Sequence, residues 1–223
     1  MHSDVKKKSN RLIIPLVWEA IFVLCTLAVV LRDDRRHFGL TLYFMFIFYL
    51  GIVIYYRKEL SIKKFFTSFM SFRDFILPVL VTSAGMALCR ALSRFAAFNL
   101  FAGHQKIMMP LAYSSSIPGM IILALTVIIL QPLAEELFYR KAVIRFFDNR
   151  LMFVTILAGF VLEAVTRSYT PLGILEAVLI SVPLVVSYSV TRNIYVPLFV
   201  HFIFNIIVNM PDLVYDFMRL MLA

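Results

Sequence analysis

A few polar side chains stand in apolar surroundings at spacings that chemistry can use. Glu135 and Glu136 lie in PLAEELFYRKAVIRFF, residues 132–147, at the end of a long apolar stretch. A carboxylate inside a membrane-spanning stretch is expensive unless paired, so its presence points to function. On a helix Glu136 and Arg140 sit at i,i+4 and can pair on one face, while Glu135 is turned about 100° away from Glu136. HFIFN, residues 201–205, places His201 and Asn205 one helical turn apart, and Asn209 extends that face by another turn. Glu163 is a further acid in an apolar run. A carboxylate beside an imidazole and a carboxamide suits hydrolysis. The carboxylate takes a proton from water, and the other two donate hydrogen bonds to the oxyanion formed at an attacked carbonyl. Bland readings stand beside this one: Glu136–Arg140 as an anchor for a helix end, and His201 with Asn205 as hydrogen-bonding glue between helices. The sequence carries no GxSxG, HExxH, P-loop or dinucleotide fingerprint.

The elements that must position these groups are apolar helices. The chain has 223 residues, 61% of them hydrophobic and only 16% charged, and a mean hydropathy of +0.88. Soluble domains carry about 45–50% apolar residues, so a polytopic membrane protein is the starting expectation. Disorder, a coiled coil and a secreted disulfide scaffold are excluded by the same numbers. Spans are expected at Leu12–Leu31, Phe38–Tyr56, Phe75 to about Leu100, about Ile117 to Tyr139, Leu151–Val165, after Pro171 to about Val190, and Ile194 to about Met210. That is an all-α bundle of about seven spans, read as one domain over 1–223. Pro211 and Asp212 are expected to stop the last helix, leaving a short amphipathic tail. Residues 57–74, basic and studded with phenylalanines, read as an amphipathic helix on the membrane surface. Within the spans, Glu19 lies near a boundary, and Arg90 and Arg94 either snorkel to an interface or line the protein interior. Glu176 is expected just after the turn at Pro171–Gly173.

The net charge of +9 is not spread as it would be for nucleic acid. It gathers at Lys6–Lys8 with Arg11, at 57–73 and at 140–150, between apolar stretches, which is the positive-inside pattern of a multi-pass protein in a cell membrane. On that pattern the N-terminus is cytoplasmic and the loops 32–37 and 101–116 are external. The first span is expected to stay uncleaved. Glu163 then lies about 18 Å into its span and His201 about 12 Å into its own, at the helical rise, so one cavity can hold both with Glu135. Cys25 and Cys89 read as small buried hydrophobes, with no metal-ligand partner at short spacing.

EExxxR on one helix, followed some sixty residues later by HxxxN on another, resembles the CAAX-protease and bacteriocin-processing family, also called the Abi family. The resemblance covers about residues 115–210, the family core of this chain, and RNIYVPLFVHFIFN adds an arginine and a proline ahead of the histidine. It implies an intramembrane glutamate-dependent peptidase. Glu135 would be the water-activating glutamate, Glu136 and Arg140 the adjacent structural pair, and His201 and Asn205 the oxyanion stabilisers. It implies no bound cofactor, and the sequence offers too few close ligands for a metal. The family's middle motif is a phenylalanine followed four residues later by a histidine. Here Phe160 fits, but Ala164 stands in the histidine's place, and Glu163 is the candidate substitute.

Two readings follow from the resemblance. The first is a peptidase, in bacteria serving bacteriocin or peptide maturation or self-immunity, with a small peptide or the terminus of a membrane protein as substrate. The second is a catalytically impaired relative that acts as an immunity protein or as a scaffold for a membrane or envelope partner, because an alanine cannot transfer a proton. A transporter or channel would use the same ionisable groups, yet neither paired interrupted helices nor an inverted repeat is visible.

Overall fold

A computed structural model describes residues 2–31, 38–100, 116–146 and 148–222. The loop 32–37 and all but the last residue of the 101–116 loop lie outside the described residues, as do the side chains of Lys6, Lys7 and Lys8. Seven helical stretches are long and apolar enough to cross a membrane: Arg11–Leu31, Gly39–Glu59, Phe72–Asn99, Ile117–Ala142, Asn149–Arg167, Pro171–Thr191 and Tyr195–Leu222. No strand occurs among the described residues. The expected seven-span, all-α bundle is therefore the architecture. In hydrocarbon each backbone N–H and C=O must find a partner within its own segment, and helices alone achieve this without a closed barrel.

The helices are α1 (His2–Leu31), α2 (Phe38–Tyr56), α3 (Ile62–Phe69), α4 (Leu77–Leu100), α5 (Ile117–Ala124), α6 (Gln131–Glu135), α7 (Asn149–Arg167), α8 (Pro171–Thr191) and α9 (Tyr195–Leu222). α1 packs along α2, and α4 packs on α8 and α9. The fourth span, which contains α5 and α6, runs between these groups with α2 on one side and α9 on the other. Phe22, Phe48, Tyr49 and Leu137 form the core of the first contact, with the Phe22 and Phe48 rings stacked at 4.5 Å. Phe75, Met86, Leu184, Val196 and Val200 form the core of the second. Leu24, Phe98, Val161 and Val190 face outward, as an apolar surface solvated by lipid requires.

The fourth span is not a uniform α-helix. π-helical turns occupy Leu125–Leu130 and Glu136–Ala142. Pro132 accounts for the first, because it has no N–H to give the helix. The Gln131 N–H bonds Thr126 O, one residue further back than in an α-helix, and Pro132 cannot serve the next carbonyl, that of Val127. The Asn205 side chain serves it instead, its Nδ2 lying 2.8 Å from Val127 O.

Several expectations change. Residues 57–74 are not one helix: a 3₁₀ turn at Arg57–Glu59, α3, and a π turn at Phe72–Ile76 divide them. Ser61 and Ser71 accept backbone N–H bonds at the two restarts, and such caps break a helix register. The last helix does not stop at Pro211 but continues to Leu222. A proline removes one hydrogen bond, and burial of Leu213 beside Leu42, Leu123 and Val127 holds the following turns. Glu19 does not face a wet boundary; it is buried and accepts the Tyr139 hydroxyl at 3.1 Å. Cys25 and Cys89 are half-buried rather than buried. Of the two α4 arginines, Arg90 turns toward α9, its guanidinium 5.5 Å from the Phe204 ring centre, and Arg94 is exposed.

The hairpin of α7 and α8 is displaced along the bundle. Glu163, one turn from the end of α7, meets Arg140, two residues from the end of the fourth span at the basic side. Two antiparallel spans in full alignment would place those residues at opposite ends. The displaced turn satisfies its backbone with hydroxyls, Ser168 Oγ accepting from Thr170 N and Thr170 Oγ1 from Gly173 N. Gly173 is required there, because a Cβ would lie 1.9 Å from Ser168 Oγ and 2.5 Å from its Cβ. Gly173→Ala should therefore destabilise the protein by about 1–3 kcal/mol through overpacking. Gly39→Ala, where a Cβ would meet nothing within 4 Å, should change stability by less than about 0.5 kcal/mol. SDS-driven unfolding in mixed micelles compares the two, and equal effects would contradict the tight-turn account.

Candidate active site

The fourth span delivers Glu135, Glu136 and Arg140 to the middle of the bundle, all three fully buried. α7 brings Glu163 and Arg167, α8 brings Ser181, and α9 brings His201. Arg140 Nη1 lies 3.5 Å from Glu136 Oε1, so the i,i+4 pair forms as its spacing suggests. Its Nη2 reaches Glu163 Oε2 at 2.8 Å and Ser181 Oγ at 2.6 Å. The Ser181 hydroxyl passes the interaction on by donating to Glu163 Oε2 at 2.5 Å.

Glu135 is held from every side. Tyr49 donates its hydroxyl to Oε1 at 2.9 Å, and Gln131 Nε2 donates to the same oxygen at 3.0 Å. Arg167 Nη2 pairs with Oε2, and it also lies 3.0 Å from Glu163 Oε1 and 3.4 Å from His201 Nε2. His201 spans the adjacent carboxylates. Its Nδ1 is 2.9 Å from Glu136 Oε1 and its Nε2 is 3.6 Å from Glu135 Oε2. A carboxylate only accepts, so the Nδ1 proton points at Glu136 and Nε2 is left facing Glu135.

Three carboxylates and two guanidiniums thus form one buried network with an imidazole between its members. Isolated charges at this depth would cost several kcal/mol each, and mutual pairing is what makes them tolerable. The arrangement is not saturated: Glu136 Oε2 and Arg140 Nε lack hydrogen-bond partners among the described residues. Among the described residues no three His, Cys, Asp or Glu side chains are grouped to hold a metal ion. The guanidiniums of Arg140 and Arg167 fill the spaces between the carboxylates.

The structure brings together Glu135, Glu136, Arg140, Glu163 and His201. Asn205 stands apart, engaged with the Val127 carbonyl, and Asn209 donates to Asn205 O at 2.9 Å further along α9. Glu176 is buried in α8. Four participants escape a reading of the sequence: Tyr49, Gln131, Arg167 and Ser181. For Arg167 a signal exists. Glu163 and Arg167 repeat the ExxxR spacing of Glu136 and Arg140, which marks Arg167 as inward-facing rather than as the polar end of a span. Ala164 is buried, and Arg167, one turn further along, extends its guanidinium to Glu135 and His201.

Residues 117–207 match the family described as "Rce1-like: Type II CAAX prenyl endopeptidase Rce1-like". The matched segment is under half of the chain and contains every network residue except Tyr49. No curated protein and no solved structure matches the chain.

Removing one partner from such a network leaves an uncompensated buried charge. Arg140→Leu should lower stability by about 3–5 kcal/mol. Adding Glu163→Leu removes a charge of the opposite sign and should recover part of that loss, a pattern that a set of independent contacts would not produce. SDS titration of the two variants measures both effects.

Proposed function

We propose that this chain is an intramembrane peptidase of the CAAX-protease kind, acting on a small peptide or on the terminus of a membrane protein. The observation that carries the reading is the buried Glu135–His201 pair, 3.6 Å apart, on the segment that resembles such peptidases. Glu135 takes a proton from a water molecule, and the resulting hydroxide attacks the scissile carbonyl carbon. The carbonyl oxygen, now an oxyanion, accepts a hydrogen bond from His201 Nε2–H, a donation that requires the ring to hold a proton on each nitrogen while Nδ1–H stays on Glu136. When the C–N bond breaks, Glu135 returns the proton to the leaving nitrogen. Arg167 must first release Glu135 Oε2. Its side chain is 13% exposed while the carboxylates are sealed, and Glu163 offers it a second partner at 3.0 Å. The basic clusters at 57–64 and 140–150 assign that end of the bundle to the cytoplasm, on the positive-inside rule. Maturation of bacteriocin-like peptides, or immunity to them, is the role that fits this activity.

A specific observation favours a second reading. Where a second base would be expected, the structure has Ala164, and the neighbouring space holds Arg167, a cation that cannot accept a proton. On this reading the network only holds the helices together, and the protein protects its host or scaffolds an envelope partner without cleaving anything. Glu135→Gln and His201→Gln separate the two in a cleavage assay run beside a host-protection assay, at matched membrane levels. The peptidase reading expects both variants to lose about 10²-fold or more of the activity. Full protection in both variants would leave only the scaffold. Ala164→His should raise cleavage if the middle motif is placed correctly.

A further inference from the structure

At the basic end of the bundle a cavity of about 610 Å³ opens between α3 and the turn joining α8 to α9. Lys63, Lys64, Lys141 and Arg192 line it, with Glu59 as the one acid. Glu59 is already occupied: Arg11 Nη1 lies 3.2 Å from its carboxylate and Lys141 Nζ 3.4 Å. Among the described residues no carboxylate pairs with Lys63, Lys64 or Arg192. The cavity therefore carries unbalanced positive charge, and it is far larger than one bare phosphate fills.

Its walls are built rather than incidental. α3 is fixed by Tyr195, whose hydroxyl donates to Ser61 O at 2.9 Å and accepts from Ser61 N at 2.7 Å. Phe65 packs edge-on against the Tyr195 ring, with centroids 5.7 Å apart. This docking turns Lys63, Lys64, Thr67 and Ser68 to the cavity side. Opposite them, Arg192 ends α8 at φ 52°, a left-handed conformation that favours glycine, and it is the one non-glycine residue with positive φ among those described. Its guanidinium is held 5.2 Å from the centre of the Phe146 ring, at the cavity rim.

The same short helix presents Ile62 and Phe66 outward, 79% and 59% exposed, and Met70, which caps it, is 87% exposed. Those side chains belong at a lipid interface. The cavity thus opens where headgroups lie. We propose that it is a binding site for the headgroup of an anionic phospholipid, with Lys63, Lys64 and Arg192 receiving the phosphate and the apolar side of α3 lying among the acyl chains. The proposal is independent of whether Glu135 is catalytic.

The test uses the full chain in a neutral detergent, titrated with phosphatidylglycerol and, separately, with phosphatidylcholine, and native mass spectrometry counts the retained lipids. Phosphatidylglycerol should be retained in preference to phosphatidylcholine. Lys63→Gln with Lys64→Gln should weaken that retention about tenfold or more, whereas Arg73→Gln with Arg150→Gln, which removes as much charge elsewhere, should leave it within about twofold. Equal retention of the two lipids would overturn the proposal. So would equal loss in the two double variants, since summed surface charge would then account for binding. Displacement of phosphatidylglycerol by inorganic phosphate at a comparable concentration would overturn the lipid assignment and make this a site for a soluble anion.

Discussion

The pairing of two guanidiniums with three carboxylates inside an apolar bundle sets the terms for the rest of the structure. Arg140 and Arg167 cannot be buried singly, and neither can Glu135, Glu136 or Glu163. Each must find the others, and they come from two different spans. The fourth span and α7 are therefore fixed in rotation and in height by charge as well as by their apolar surfaces. Ser181 extends the constraint to α8 and His201 to α9, so the segment that resembles CAAX peptidases is tied together at one point. Tyr49 brings α2 into the same arrangement, although it lies outside that segment.

Hydrogen bonding adds a second constraint that shapes α9. Pro132 leaves the Val127 carbonyl without a helical partner, and a bare carbonyl in hydrocarbon is costly. Asn205 supplies the missing donor. Because His201 precedes Asn205 by one turn, docking the carboxamide also sets the height at which the imidazole meets Glu135 and Glu136. A backbone irregularity in one helix thereby aligns a side chain on another.

The spans and their number were legible in the sequence because hydrophobic runs of about twenty residues have few other uses. The Glu136–Arg140 pair was legible for a local reason, since i,i+4 spacing on a helix is a contact in itself. The rest of the site was harder to read. Tyr49 and Gln131 are uncharged and do not interrupt an apolar run, and only the tertiary arrangement aims them at Glu135. Arg167 closes a span, where a polar residue is ordinary, and it is the displacement of α7 and α8 that brings it to Glu135. The extent of the last helix failed similarly: Pro211 is a local stop signal, and the burial of Leu213 that overrides it comes from residues far away in sequence.

That displacement also bears on the solvent around the protein. The α7–α8 turn, Ser168 to Thr170, is rich in hydroxyls, and Tyr169 ties it to Thr26 along the side of α1. Those hydroxyls are the polar groups next to the end of α7. Arg167 is the last residue of α7 before that turn and the network member with an open edge. Among the network's charges the Arg167 side chain is thus the one with measurable exposure, 13% against 0–1% for the rest, and it sits at the end of the span nearest that hydroxyl-rich turn.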